Sequence, residues 1–356
     1  MDLENNDKSD PDDFNPEEFD SGNFDNLKIP DKSEDIVGGI DYFIRHKTLF
    51  YPQPLKKGDK IALISPASEV KEEYVFGAMS KIMQRGYQPV LMEYALGPSD
   101  GSFASSKINR LTDLFNALKD EEIKAIMCTR GGYGCAQLLA NFSYGMVASN
   151  PKWIIGFSDV SALLALWYSC DVASIHGPMA KHLANMPDND PCSEALFKIL
   201  ENGGKFDYSV GPHPYNIHGK TSGILLGGNL AVLNDLADTT YDLLANDRRE
   251  KDVILFLEDI NEPIYKVNRI LWRLLLSGRL FSVKGLIFGQ FTDYKPDKNF
   301  TTMEDMINEF LNRYIMPEIP IVFNFPTGHT DLNFPLVEGA EIELEVREDF
   351  VRLHTI

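Results

Sequence analysis

Cysteine is scarce in this chain: Cys128, Cys135, Cys170 and Cys192 are four among 356 residues, and no Cys-x-x-Cys pair occurs. That spacing supports neither a disulfide scaffold nor a structural zinc site, and it suits reduced, buried thiols. The seven histidines are scattered and no His-Glu-x-x-His is present, so no metal and no cofactor is expected. No run of about 18 apolar residues exists to span a membrane. Positive charge is short as well, with 34 Lys and Arg against 53 Asp and Glu for a net charge of -19. Phosphate backbones and anionic membrane surfaces repel such a chain, so neither nucleic acid nor a membrane is an expected partner. A secretory leader starts basic and turns apolar, whereas Met1-Asp2-Leu3-Glu4-Asn5-Asn6-Asp7 does neither; a cytoplasmic location is the expectation.

What is present is a globular composition, 44% hydrophobic and 24% charged, at a length that suits two domains. The charge is uneven: Met1 to Ile36 holds 13 acids and three lysines, ten of the nineteen net negative charges. Residues 1–50 have no apolar period and cannot bury enough surface to offset the entropy of ordering, which predicts an acidic, flexible tail. A second reading of the tail is docking on a basic partner through Phe14, Phe19 and Phe24.

From Lys56 onward, short apolar runs alternate with amphipathic stretches, the rhythm of βαβ units. Strands are predicted at Ile61–Ile64, Gln88–Met92, Ala125–Cys128 and Trp153–Gly156. One helix near Glu72–Gln84 has Val75, Met79, Ile82 and Met83 on its buried face, and the next buries Ile108, Leu111, Leu114, Phe115 and Leu118. The expected fold is α/β: a Rossmann- or flavodoxin-like parallel-sheet domain over 56–180, a crossover over 181–220, and a smaller C-terminal α/β domain over 221–356. In that second part, strands are expected at Gly223–Leu226, Val253–Leu257, Gly285–Phe288 and Ile321–Phe323, with a closing hairpin at Glu341–Val346 and Phe350–Leu353.

Several signatures fail. Gly132-Tyr133-Gly134-Cys135-Ala136-Gln137 lacks the third glycine of a dinucleotide loop, and Pro214 stands where a phosphate-binding loop ending in Gly219-Lys220-Thr221 needs glycine. What survives is Ser158, at a strand-to-helix turn where the free N–H groups of a first helical turn can stabilise an oxyanion. Val160 occupies the position of the last glycine in a Gly-x-Ser-x-Gly elbow, and from local sequence alone a helix N-cap is the plainer explanation of Ser158. A serine nucleophile needs a base and something to orient it. Glu258, at the end of a buried strand, and His329, in a Pro- and Gly-fixed loop, can supply them; a strand-end ion-pair partner and an ordinary loop histidine are the alternatives. Cys135 as nucleophile competes with a plain buried thiol.

Seven segments occur in an order that resembles the LD-carboxypeptidases, the murein tetrapeptide carboxypeptidases whose relatives include the microcin C immunity peptidase. They are Gly58-Asp59-Lys60-Ile61-Ala62-Leu63-Ile64-Ser65-Pro66-Ala67, Arg130-Gly131-Gly132-Tyr133-Gly134, Gly156-Phe157-Ser158-Asp159, His176-Gly177-Pro178-Met179, Gly227-Gly228-Asn229-Leu230, Leu257-Glu258-Asp259 and Gly328-His329. The resemblance runs from about Gly58 to the C-terminus and leaves the acidic leader unmatched.

It implies a Ser158-Glu258-His329 triad, an oxyanion hole from the backbone N–H groups of Asp159 and Gly132, and a swivelling C-terminal domain with the active site in the cleft between domains. The implied reaction releases terminal D-Ala from the L-centre of a diamino acid in a peptidoglycan tetrapeptide during cell-wall recycling. A homodimer is implied too. For the substrate's carboxylate, Arg130 beside Gly131 is the candidate, against a structural role bridging loop and helix. His176 either lines the cleft or is a buried, backbone-bonded histidine. Two other functions compete: a related serine peptidase acting on a peptidyl-nucleotide antibiotic, and a catalytically silent wall-peptide-binding protein.

Overall fold

The computed structural model describes residues 49–245, 252–314 and 318–356. The acidic leader, with Phe14, Phe19 and Phe24, lies outside the described residues. Two sheets organise the rest, as an α/β fold.

In the first, strands β1 (Lys60–Ile64), β2 (Gln88–Leu91), β3 (Ile123–Cys128), β4 (Trp153–Gly156) and β5 (Ser174–His176) run parallel in the order β5-β4-β3-β1-β2. Helices cover these strands, so β4 is buried along its whole length and reads as a continuous apolar run instead of an alternation. The strand order reverses between β1 and β3. Loops leaving the carboxyl ends on either side of such a switch point diverge and open a crevice, the usual ligand position in open α/β sheets. Ser65 and Thr129, just beyond those two ends, join their hydroxyls at 2.7 Å.

The second sheet contains β6 (Asp207–Val210), β7 (Gly219–Asn229), β8 (Val253–Ile260), β9 (Val283–Thr292), β10 (Ile321–Val322), β12 (Glu341–Val346) and β13 (Val351–Thr355), in the order β10-β9-β8-β7-β12-β13-β6. Its first four strands are parallel and the rest antiparallel. Strand β7 bridges the two halves: Gly219–Ile224 pairs with β12 and Ile224–Asn229 with β8. This sheet carries seven strands and the first carries six.

The boundaries read from the sequence are crossed twice. Strand β11 (Leu336–Glu338) returns to the first sheet, antiparallel to β5, and β6, from the stretch read as a crossover, edges the second. That stretch also holds a helix, Pro191–Glu201. Its start carries a signal in plain view: Asp190 accepts from Ser193 N–H at 2.7 Å and Pro191 takes the first helical position.

Two helix faces also differ from expectation. Helix Lys107–Lys119 buries Arg110, Asp113, Leu114, Ala117 and Leu118, while Ile108 stays 50% exposed. The rotation follows the polar partners: both Asp113 carboxylate oxygens accept the Tyr94 N–H at 3.1 Å, and Arg110 is fully engaged. Helix Glu72–Gln84 buries Val75, Ala78 and Ile82 and leaves Met83 exposed.

Candidate active site

Strand β4 ends at Gly156, and Phe157 continues extended, with φ -154° and ψ -173°. The chain then reverses through Ser158, whose φ of 65° lies in the left-handed region. For a residue with a Cβ that conformation costs roughly 1–2 kcal/mol, and such strain persists where the surroundings impose it. A 3₁₀ turn over Ser158–Val160 leads into helix Ser161–Ser169, whose cap residue is Val160, so Ser158 is not the helix N-cap that its position allowed.

The glycine-rich loop after β3 approaches this serine directly. A Cβ on Gly131 would lie 2.9 Å from the Ser158 Cβ and 3.0 Å from its Oγ, so only glycine lets the loop backbone touch the hydroxyl. Buried side chains hold the loop there. The Asp159 carboxylate accepts the Cys135 N–H at 2.8 Å, tying the loop to the serine turn. Arg110, 2% exposed, donates Nε to Ser105 O, Nη1 to Pro66 O and Gly134 O, and Nη2 to Gln137 Oε1, at 2.7 to 3.1 Å.

Across from this loop, Glu258 near the end of β8 is fully buried, and its Oε2 lies 2.7 Å from Nδ1 of His329. Gly328 has φ +115°, and a Cβ there would come within 2.9 Å of Glu258 Oε2, so the loop presents His329 to Glu258 only with glycine before it. The Gly328 N–H donates to Asn333 Oδ1 at 2.9 Å, which fixes that loop. The Phe157 ring, next to Ser158, packs edge-on against His329 at 4.8 Å between centroids. Burial alone would push the Glu258 carboxyl up, but the charge and hydrogen bond of His329, with His176 close behind, hold it down to about 2. For His329, burial works against protonation and is outweighed by the Glu258 carboxylate, so its pKa is raised. The arrangement favours an ionised carboxylate against an imidazole with a strengthened hold on protons.

The remaining candidates occupy distinct places. His176 has no exposure, so it is not at the cleft surface; it lies behind Glu258, its Nε2 3.6 Å from Glu258 Oε1. Arg130 is half-buried and donates Nη1 to Glu69 O at 3.1 Å. One side of Gly132 is covered by Ser68, whose Oγ would lie 2.2 Å from a Cβ there. Burial, then the Asp159 charge, push the Cys135 thiol well above its ordinary value, which argues against a nucleophilic thiolate. Among the described residues no three His, Cys, Asp or Glu side chains cluster to hold a metal, and no helix is long and apolar enough to cross a membrane.

Sequence reasoning missed Arg110, and it missed a network behind Glu258. Asp259 accepts from Asn229 Nδ2 at 3.1 Å and from the Ala231 and Ile260 N–H groups at 2.9 and 2.8 Å, and the Asn229 N–H donates to Ser161 Oγ at 3.0 Å. Its signal was a second carboxylate at a buried strand end and an asparagine closing Gly227-Gly228-Asn229.

Residues 61–177 match the LD-carboxypeptidase N-terminal domain and residues 222–344 the LD-carboxypeptidase C-terminal domain. A murein tetrapeptide carboxypeptidase of Pseudomonas aeruginosa is 31% identical over 297 residues, 80% of this chain and 93% of that protein. The chain belongs to the LD-carboxypeptidase family. As a member of it, the protein is a serine-type carboxypeptidase, a hydrolase. A Bacillus subtilis relative named probable murein peptide carboxypeptidase is 29% identical over 84% of this chain and 92% of its own length. The solved muramoyltetrapeptide carboxypeptidase of Oxalobacter formigenes superposes with a TM-score of 0.73 at 25% identity, covering 83% of this chain and 98% of that one. The two-sheet architecture is that of this LD-carboxypeptidase.

Proposed function

We propose that this LD-carboxypeptidase releases the terminal D-Ala of peptidoglycan tetrapeptides by attack of Ser158, with His329 as general base and then acid and Glu258 orienting the imidazole. The observation that carries the reading is the 2.7 Å contact between His329 Nδ1 and the fully buried Glu258, packed through Phe157 against the strained Ser158 turn. In the proposed cycle His329 Nε2 takes the hydroxyl proton as Ser158 Oγ attacks the scissile carbonyl. Collapse of the tetrahedral adduct expels D-Ala, whose amine receives that proton, and water hydrolyses the Ser158 ester by the same steps. The developing oxyanion takes the N–H groups of Asp159 and Gly132; one such donor is worth on the order of 100- to 1,000-fold in rate. Arg130 offers its unengaged guanidinium nitrogens to the substrate's carboxylate. His176 is withdrawn from the substrate-binding set because it is buried. Action in the cytoplasm on recycled wall peptides, and assembly as a homodimer, complete the proposal.

The test is mass-spectrometric detection of D-Ala released from purified murein tetrapeptide by wild type and Ser158→Ala, each with and without a chelator. Release that survives the chelator and disappears in the variant is expected. A folded wild type that leaves tetrapeptide intact would overturn the substrate assignment; cleavage of a peptidyl-nucleotide by that same preparation would then identify the antibiotic-directed reading.

A further inference from the structure

Two buried polar atoms behind the proposed triad have no hydrogen-bond partner: Glu258 Oε1 and His176 Nε2. They face each other at 3.6 Å, with both side chains at zero exposure. Buried polar atoms almost always find a partner, and an ionised carboxylate oxygen can only accept, so a partner for Glu258 Oε1 must be a donor. At 3.6 Å the contact is electrostatic rather than a formed hydrogen bond, a spacing that active sites commonly tighten when substrate arrives. The imidazole is clamped on its other sides. Phe157 and Phe256 pack edge-on at 5.8 and 5.1 Å, and His176 Nδ1 lies 3.5 Å from the Thr327 hydroxyl, whose single proton can turn to Nδ1 or to Phe334 O at 3.2 Å and so bears on which ring nitrogen is protonated. Phe157 also packs against His329, and Thr327 sits two residues before it, so His176 touches the supports of the base as well as its carboxylate.

We propose that His176 is a positioning residue that carries its proton on Nε2, donates it toward Glu258 Oε1, and so leaves Oε2 alone to hold Nδ1 of His329. This rests on the triad reading above. A carboxylate sharing its charge with His176 grips the His329 proton less tightly. The base is therefore released at lower pH than a lone Glu258 would allow. The titratable groups facing this pair are His176 from β5, Glu258 and Asp259 from β8, and Asp293 just after β9.

The experiment compares wild type, His176→Leu and His176→Gln, whose amide nitrogen restores a donor near the Nε2 position. Histidine-selective isotope labelling and NMR read the His176 tautomer and the His329 titration in substrate-free protein. Kinetics then read kcat/KM against pH on murein tetrapeptide. The expected results are a proton on His176 Nε2 in wild type, and in His176→Leu an upward move of both the His329 titration and the acid limb. On that limb kcat/KM should fall about ten- to a hundredfold, the worth of one hydrogen bond to a charged group. His176→Gln should recover most of both. A His176 proton on Nδ1 alone, or a loss of rate in His176→Leu with the His329 titration unmoved, would overturn the proposal. If His176→Leu does not fold, the wild-type tautomer and the Gln variant still decide it. Hydrolysis persisting in Ser158→Ala would instead sink the triad reading, while the NMR result would stand by itself.

Discussion

Replacing Glu258 by Gln keeps shape and burial while removing one charge, so it isolates what that charge does. Two unit charges 2.7 Å apart attract by about 6 kcal/mol at an effective dielectric near 20, and burial of the carboxylate takes back part of this. The net effect of both neighbouring histidines is the fall of the Glu258 pKa from 4.5 to about 2, so on the order of 3 kcal/mol is an upper bound for the His329 pair. In the proposed cycle His329 is an imidazolium around the tetrahedral adduct. Losing up to about 3 kcal/mol there slows kcat by up to roughly a hundredfold. An amide that selects the wrong imidazole tautomer extends the loss to on the order of 10⁴-fold. The pH dependence has a definite sign. Glu258 raises the His329 pKa above 6.5, and the base works only when neutral, so the acid limb of kcat/KM lies above that value in wild type and moves down in Glu258→Gln. Stability follows the same linkage. The depressed Glu258 contributes stability that is present above 4.5 and lost as pH falls toward 2; the raised His329 contributes stability that is complete below 6.5 and lost as pH rises through its folded value. Urea unfolding across that range and kcat/KM profiles for both proteins make the comparison. A Gln variant within about threefold of wild type, a difference under 1 kcal/mol, with an unmoved acid limb would refute the reasoning.

Two further outcomes follow from the loops around Ser158. At φ 65° the usual order of Ala over Gly should invert: Ser158→Gly should unfold at higher urea than Ser158→Ala, by about 1 kcal/mol, with both variants inactive. Equal stabilities, or Ala ahead, would contradict the strain. Arg110→Met leaves three buried acceptors and one half-buried acceptor without their donor and should lower the unfolding free energy by on the order of 3 kcal/mol, with kcat falling more than KM rises as the glycine-rich loop loosens. A variant as stable as wild type would show that those bonds do not hold the loop.

How much was legible follows from what each signal depends on. Strands β1, β3, β4 and β8 are buried on both faces, so their apolar runs could be read without knowing their neighbours. The pairing of Glu258 with His329 rests on a fold that joins positions 71 residues apart, and no local pattern contains that distance. The buried strand end and the fixed loop offered both residues as candidates; only the resemblance joined them. Strand β11 was illegible for a related reason: Leu336–Glu338 is three residues long, and only its partner β5 makes it a strand. The helix faces went astray where polar side chains are buried, since Arg110 and Asp113 look like solvent-facing residues until their carbonyl and N–H partners are in place. His176 was left between two readings because exposure, which separates a cleft-lining ring from a buried one, is a tertiary property.

The pair Glu258-Asp259 shows how the proposed nucleophile and the proposed base stay in register. At an irregularity in the β8–β9 ladder between Leu257 and Asp259, the two adjacent carboxylates take different partners. Glu258 turns toward His329, while Asp259 turns to Asn229 and the N–H of Ala231, at the start of helix Leu230–Asp235. Asn229 in turn gives its N–H to Ser161, the first residue of the helix that leaves the Ser158 turn. The end of β8 is thus linked through Asp259, Asn229 and Ser161 to the helix that follows the Ser158 turn, while Glu258 at the same end meets His329. Burial, then the neighbouring Glu258 charge, push Asp259 up to about 7 against its three N–H donors. Keeping a second carboxylate there opposes the charge on Glu258, and a residue that only filled space would do so more cheaply as Asn or Leu. Its three N–H bonds supply what those replacements cannot, a fixed distance between the sheet that positions Glu258 and the helix that begins just after the Ser158 turn.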